Sequence, residues 1–255
     1  MRASACILFF AGLLLVWLDV AAALEVPEAN HPPLAKSASS PEGFVPQGWR
    51  IDTQTEGDLN GDGLPDLLLV LQQDDPANVL ANDPDSLGVR ALDTNPRILA
   101  VAFAREKGGY ELSLENHDLI PRYETPTIDD PFSQAEITDG AIRVGLHFWA
   151  NAGSWYTDDT TFIFRYRDNA FRLAGYEEYT TKRNTGETWD VKIDYLAGKA
   201  EITLGNFSDD ESEDKTYQKS LSPSPLLTIE EVGGGWDFHT EEQDLSWWGL
   251  EESGG

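Results

Sequence analysis

The sequence predicts a mostly β fold, an antiparallel meander of roughly eight or nine strands closed into a sandwich or a barrel, with disordered termini. Three observations lead there. Apolar residues recur with period two: Ile142, Val144, Leu146 and Phe148 alternate with Arg143, Gly145, His147 and Trp149, and Phe162, Phe164 and Tyr166 with Ile163, Arg165 and Arg167. Turn-forming clusters punctuate such runs, with "KGG" from Lys107, "TDG" from Thr138, "RDNA" from Arg167 and "LAGK" from Leu196. No stretch carries a convincing amphipathic helical period beyond three turns.

The chain opens Met1-Arg2, runs almost without polar residues from Ala5 to Leu18, and reaches the small residues Ala21, Ala22 and Ala23. One positive charge, a short apolar core and a small-residue cleavage site make residues 1–23 a secretory signal peptide, and the mature chain is expected to begin at Leu24. Export to the periplasm or beyond the cell follows. No later segment is apolar and long enough for a transmembrane helix. Cys6, the only cysteine, lies in the leader, so an exported domain without disulfides must rely on core burial, a metal, or both. Residues 24–46, rich in Pro, Ala, Ser and Glu, read as an extended linker.

Residues 47–205 hold the period-two pattern and form the expected β domain. Near its start stands "EGDLNGDGLPDLLLV", residues 56–70. Asp58, Asn60, Asp62 and Asp66 occupy positions 1, 3, 5 and 9 of a loop, with Gly63 at position 6 for the sharp reversal and the Leu64 carbonyl at position 7. Calcium takes six to eight oxygens at about 2.3–2.6 Å, and oxygen-bearing side chains at alternate positions of a tight loop can surround one point. Position 12, where an EF-hand carries a bidentate Glu, is Leu69, so the loop is not an EF-hand. The alternative is that Asn60-Gly61 and Asp62-Gly63 are hairpin turn dipeptides. Leu67 to Leu71 then read as a strand buried on both faces, and a cage at its mouth would be a structural Ca2+ site.

This loop resembles the calcium loop of FG-GAP and VCBS repeats in integrin-type propeller blades. The resemblance spans about fifteen residues and implies Ca2+ as a structural cofactor. No second loop and no internal repeat is visible, which argues against a complete propeller. The wider arrangement, Gly48-Trp49, one such loop, "NPRILAVAF", "GGYEL" and a Gly-Ser-Trp turn, is similar to a group of exported bacterial proteins of unassigned role. That similarity implies export and a single-loop β domain.

Catalytic motifs are missing. There is no G-x-S-x-G, no H-E-x-x-H, no Walker loop and no G-x-G-x-x-G after a strand. Of His31, His117, His147 and His239, only His147 has nucleophile and carboxylate neighbours, in Ser154, Asp158 and Asp159. A non-enzymatic protein is expected. Binding chemistry is better represented. "HFWANAGSWYTDD", residues 147–159, sets Trp149, Trp155 and Tyr156 among small polar residues, which suits a protein partner or a sugar ring, or else covers the rim of the core. The acidic segment 206–255 adds Trp236, Phe238, Trp247 and Trp248 as a second candidate contact.

The formal charge is −27, and residues 206–255 carry thirteen acids against two lysines. Such a surface repels nucleic acid and attracts cations and basic proteins, although solubility or a saline habitat would use the same charge. Two functions remain in view: a calcium-stabilised binding protein, inhibitor-like or immunity-like toward a basic partner, or a carbohydrate-binding or carbohydrate-active envelope module.

Overall fold

The computed structural model describes residues 24–209 and 212–238; the leader 1–23 and the end of the chain, with Trp247 and Trp248, lie outside the described residues. Strands run antiparallel throughout. A five-stranded sheet has the order β1-β7-β6-β3-β2, built from β1 (Ser37–Ala38), β2 (Trp49–Gly57), β3 (Asp66–Gln73), β6 (Arg97–Ala104) and β7 (Tyr110–Asn116). A seven-stranded meander continues through β8 (Phe132–Thr138), β9 (Ala141–Trp149), β10 (Tyr156–Arg167), β11 (Ala170–Lys182), β12 (Glu187–Asp194), β13 (Lys199–Asn206) and β14 (Lys215–Ser220), each strand paired with the next. The short strands β4 (Val79–Ala81) and β5 (Ala91–Asp93) form a separate ribbon.

The mostly β, antiparallel class is as expected, while the fourteen strands among the described residues exceed the eight or nine read from the sequence. The additional ones have a common physical reason. β2, β8 and β14 end their sheets in the hydrogen-bonding order and bury at most one residue each, so they carry no continuous apolar face. β1, β4 and β5 are only two or three residues long and carry no readable period. The turn clusters, by contrast, sit where they should. Asp139 and Gly140 (φ 52 and 68) reverse β8 into β9, and Asp168 and Asn169 (φ 51 and 59) reverse β10 into β11, the left-handed pairs that tight hairpins require.

Alternation along β3 divides the interior in two. Leu68 and Val70 face the seven-stranded sheet and pack with Leu99, Val101, Ile142, Val144, Phe162, Phe164 and Leu173. Leu67, Leu69 and Leu71 face the other way with Ile98, Ala100 and Ala102. All five β3 residues from Leu67 to Leu71 are at most 1% exposed, as a strand covered on both faces must be.

The cover on the outer face corrects the linker reading of residues 24–46. Leu34, Phe44 and Trp49 are buried against that layer, β1 pairs with β7, and Pro41–Phe44 forms a 3-10 helix. His31 stacks on His117 with ring centroids 4.4 Å apart, and Arg122 donates to the Pro27 carbonyl at 2.6 Å. Proline density misleads here because a chain laid across a sheet needs few backbone bonds of its own, only anchors. The segment after 206 is likewise partly built in. β14 pairs with β13, α1 (Ile229–Val232) opens with a capping box between Thr228 and Glu231 and buries Ile229 and Val232, and Phe238 packs edge-on against Phe162 and tilted against Tyr176.

The sheets are tied along their edges. Gly57 on β2 lies against Ile137 on β8 so closely that an added Cβ would stand 2.6 Å from its Cγ2. Arg97, 8% exposed at its side chain, makes a two-pronged pair with Asp130 at 2.8 Å, reaches Asp52 at 3.0 Å, and lies over the Phe132 ring.

Phe44→Ala should therefore lower stability by about 3–5 kcal/mol in urea unfolding, where a linker residue would leave it unchanged. A second expectation concerns pH. Burial first, then His117 and Arg122, hold the His31 imidazole below its ordinary pKa, against the pull of Asp118 and Glu115. The unfolded chain thus takes up this proton first, so stability is complete above about pH 6.5 and is lost as pH falls toward the lowered folded value. His31→Phe should flatten the part of the urea-midpoint profile that declines between about pH 7 and 5.

Candidate metal centre and aromatic end

The acidic loop is the connection between β2 and β3, whose last pair is Gly57 with Asp66. It is thus a hairpin loop, and its side chains wind it tightly. Asp58 accepts from the Gly61 and Gly63 amides at 2.7 and 2.9 Å. Asn60 Oδ1 accepts from the Asp62 amide at 2.9 Å, and Asp62 Oδ1 from the Leu64 amide at 2.8 Å. Gly61 and Gly63 both have left-handed φ, 83° and 82°, with open space around them, so the glycines serve the turn itself. Asn60 Nδ2 also donates to Asp62 Oδ2 at 3.1 Å. The loop thus brings the Asn60 and Asp62 side chains together, caps the turn with Asp58 through two amides, and meets Leu64 through its amide, not through the carbonyl of the expected ligand set.

Asp66 sits at the base of the loop. It is fully buried, and its two oxygens accept from the Leu59 amide and, across the sheet, from the Ala104 amide, each at 2.9 Å. Burial pushes its carboxyl above the usual range, the two amides pull it back, and the nearby Asp62 charge adds to the upward shift. The Asn60 amide adds a further downward pull. Among the described residues no three His, Cys, Asp or Glu side chains converge closely enough to hold a metal as they stand. By donor chemistry the loop suits a hard cation, since three carboxylates and an amide oxygen lie within nine positions; by placement, the carboxylates are held on amides.

The second candidate group lies at one end of the seven-stranded sheet, and there the aromatic loop splits. Trp149 is half-buried with the Arg183 guanidinium over its face, 4.9 Å from the ring centroid. Arg183 also donates through Nη2 to the Ala150 and Ser154 carbonyls at 2.6 and 2.7 Å, and its amide donates to the Trp155 carbonyl at 2.9 Å. Trp149 is thereby part of the frame. Trp155 is 63% exposed and Tyr156 40%, with the Tyr156 ring tilted against Trp189 at 6.3 Å. Phe207, 60% exposed beyond the end of β13, stands in a place that sequence reading passed over. The available clue was an aromatic next to an acidic turn, "NFSDD".

His147 bonds Asp159 through Nδ1 at 2.8 Å and lies 3.9 Å from Asp129 through Nε2. Ser154 Oγ instead accepts from the Tyr156 amide at 3.0 Å, so the hydroxyl is engaged in a local turn and not by the imidazole. On the other face of β10, burial pushes the Asp158 carboxyl up, against a 2.6 Å bond from the Thr180 hydroxyl.

Comparison with protein-family models, curated proteins and solved structures gives no match. The clearest quantity is the Asp66 anchor. Asp66→Asn leaves one oxygen and one NH2 facing two amide donors, so it should cost about 1–3 kcal/mol in urea unfolding at pH 7.

Proposed function

We propose that this chain is an exported, non-enzymatic binding protein whose β2–β3 hairpin is stabilised by a structural Ca2+ ion. The observation that carries the reading is the wound loop. Asp58, Asn60 and Asp62 all accept amides within a single tight turn that ends at the Leu64 amide. Those side chains, with the Leu64 carbonyl, would hold the ion, and Asp66 would add a lone pair while anchoring the loop from inside. The resemblance to FG-GAP and VCBS calcium loops supports the same assignment. A bound divalent ion would offset the repulsion among three carboxylates and the cost of keeping Asp66 buried. Its role is mechanical, to fix where β3 enters the sheet.

The secretory leader supports a periplasmic or extracellular location. The net charge of −27 and the exposed Trp155 and Tyr156 favour a basic protein as partner, in the manner of an inhibitor or immunity protein. A glycan is the second reading, and the tilted Tyr156–Trp189 pair is what favours it, because sugar rings stack on such surfaces.

Calcium titration tests the metal. With affinity of the extracellular class, on the order of 0.1–1 mM, about 10 mM Ca2+ should raise the unfolding free energy by about 1.4 to about 2.7 kcal/mol over chelator. Asp62→Ala should abolish that gain. An unfolding curve identical in chelator and in calcium would remove the ion from this reading.

A further inference from the structure

We infer that the end of the seven-stranded sheet bearing Trp155 and Phe207 is a preformed docking surface for a cationic, partly apolar polypeptide; the inference rests on the binding-protein reading but not on calcium. In a meander alternate connections emerge at the same end. The β9–β10 loop, the β11–β12 turn and the start of the β13–β14 connection therefore lie side by side. Register places Trp155 next to the Tyr156–Lys182 pair and Phe207 next to the Glu187–Asn206 pair. Three strand spacings of about 4.8 Å separate β10 from β13, so the two residues are carried by strands about 14 Å apart across the sheet.

These connections are fastened to one another. Arg183 holds the first through the Ala150 and Ser154 carbonyls. The Phe207 amide donates to the Gly186 carbonyl at 3.0 Å, and Asn206 Nδ2 to the Thr185 carbonyl at 3.2 Å. Gly186, with φ +81°, has Ser208 so close that an added Cβ would stand 2.2 Å from its Oγ. A frame cross-braced in this way orders before a partner arrives, which removes much of the entropy cost of binding. Yet Trp155 and Phe207 remain 63% and 60% exposed, large apolar side chains carried on a braced support.

Charge selects the occupant. Asp209, Glu213 and Asp214 are exposed at this end: Asp209 is two positions from Phe207, and Asp214 lies beside Gly205 on β13. Of the cations at this end, Arg183 lies on carbonyls and Trp149, and Lys182 on Glu187 at 2.9 Å, while Lys215 adjoins Asp214 and is outnumbered by the acids. What the end presents outward is two aromatic anchors within an anionic rim, complementary to Lys or Arg interspersed with apolar residues.

The experiment uses the full mature chain and three fluorescent decapeptides: alternating Lys-Leu, all-Lys and all-Glu. The Lys-Leu peptide should bind most tightly, and Trp155→Ala and Phe207→Ala should each weaken it about tenfold with unchanged unfolding midpoints. Asp209→Asn/Glu213→Gln/Asp214→Asn should weaken both cationic peptides and reduce the loss seen between about 0.05 and about 0.5 M NaCl. Equal affinity in wild type and both aromatic variants would overturn the proposal. So would a chito-oligosaccharide that competes in high salt and depends on Trp155. A failed calcium titration leaves these outcomes unaffected, so the two readings can fail separately.

Discussion

The Asp66 carboxylate, buried at the head of β3 and bonded to the Leu59 and Ala104 amides, is the constraint on which the rest of the molecule depends. Alternation ordinarily fixes strand register, because a slip of one residue exchanges the apolar face for the polar one. That safeguard is missing in β3, where Leu67 to Leu71 are apolar on both faces and both faces are covered. A slipped β3 would bury nearly the same surface. Polar pins at the two ends remove the ambiguity. Asp66 fixes one end, and at the other Arg50 bonds Gln72, which pairs in register with the buried Arg97. A buried carboxylate raised in pKa is costly in itself, and its retention is intelligible as register specification.

The same economy governs the scarce cations. With 18 Lys and Arg against 45 Asp and Glu, the chain places several of its arginines as internal ties. Arg97 joins β6 to the segment before β8, Arg122 holds the N-terminal strap, Arg143 bridges Glu136 and Glu177 on the outer face, and Arg183 braces the aromatic loop. Each multidentate guanidinium does what a point charge on a flexible stem would do less well. The consequence is that the surface is more anionic than a uniform scatter of the same residues would make it.

Much of this was legible in the sequence where one local rule acts alone. The hairpins at Asp139-Gly140 and Asp168-Asn169 and the doubly buried β3 follow from dipeptide and spacing chemistry, whereas the oxygens of the acidic loop, read as ligands, are found on the loop's own amides. What escaped depends on distant partners. Leu34 and Phe44 look like stray apolar residues in a proline-rich stretch until β3 and β6 supply the face they cover. Edge strands carry no periodic apolar signature. Trp149 and Trp155 look equivalent in "HFWANAGSW", and only Arg183, far along the chain, makes one of them framework and leaves the other exposed.

Position in the fold also bears on what a metal at the hairpin would do. The acidic loop abuts the β8–β9 turn, where an added Gly140 Cβ would lie 3.3 Å from the Asp58 carbonyl oxygen. The aromatic end lies at the far end of β9, and the nine residues from Ala141 to Trp149 span about 27 Å. An ion in the loop therefore touches no ligand held at the other end. Its influence must pass through the register of β3 and the seam between β2 and β8, where Gly57 meets Ile137. Because β10 to β13 brace one another at the aromatic end independently of that seam, loss of the ion would loosen the five-stranded sheet first and leave the docking frame in place until the domain unfolds as a whole.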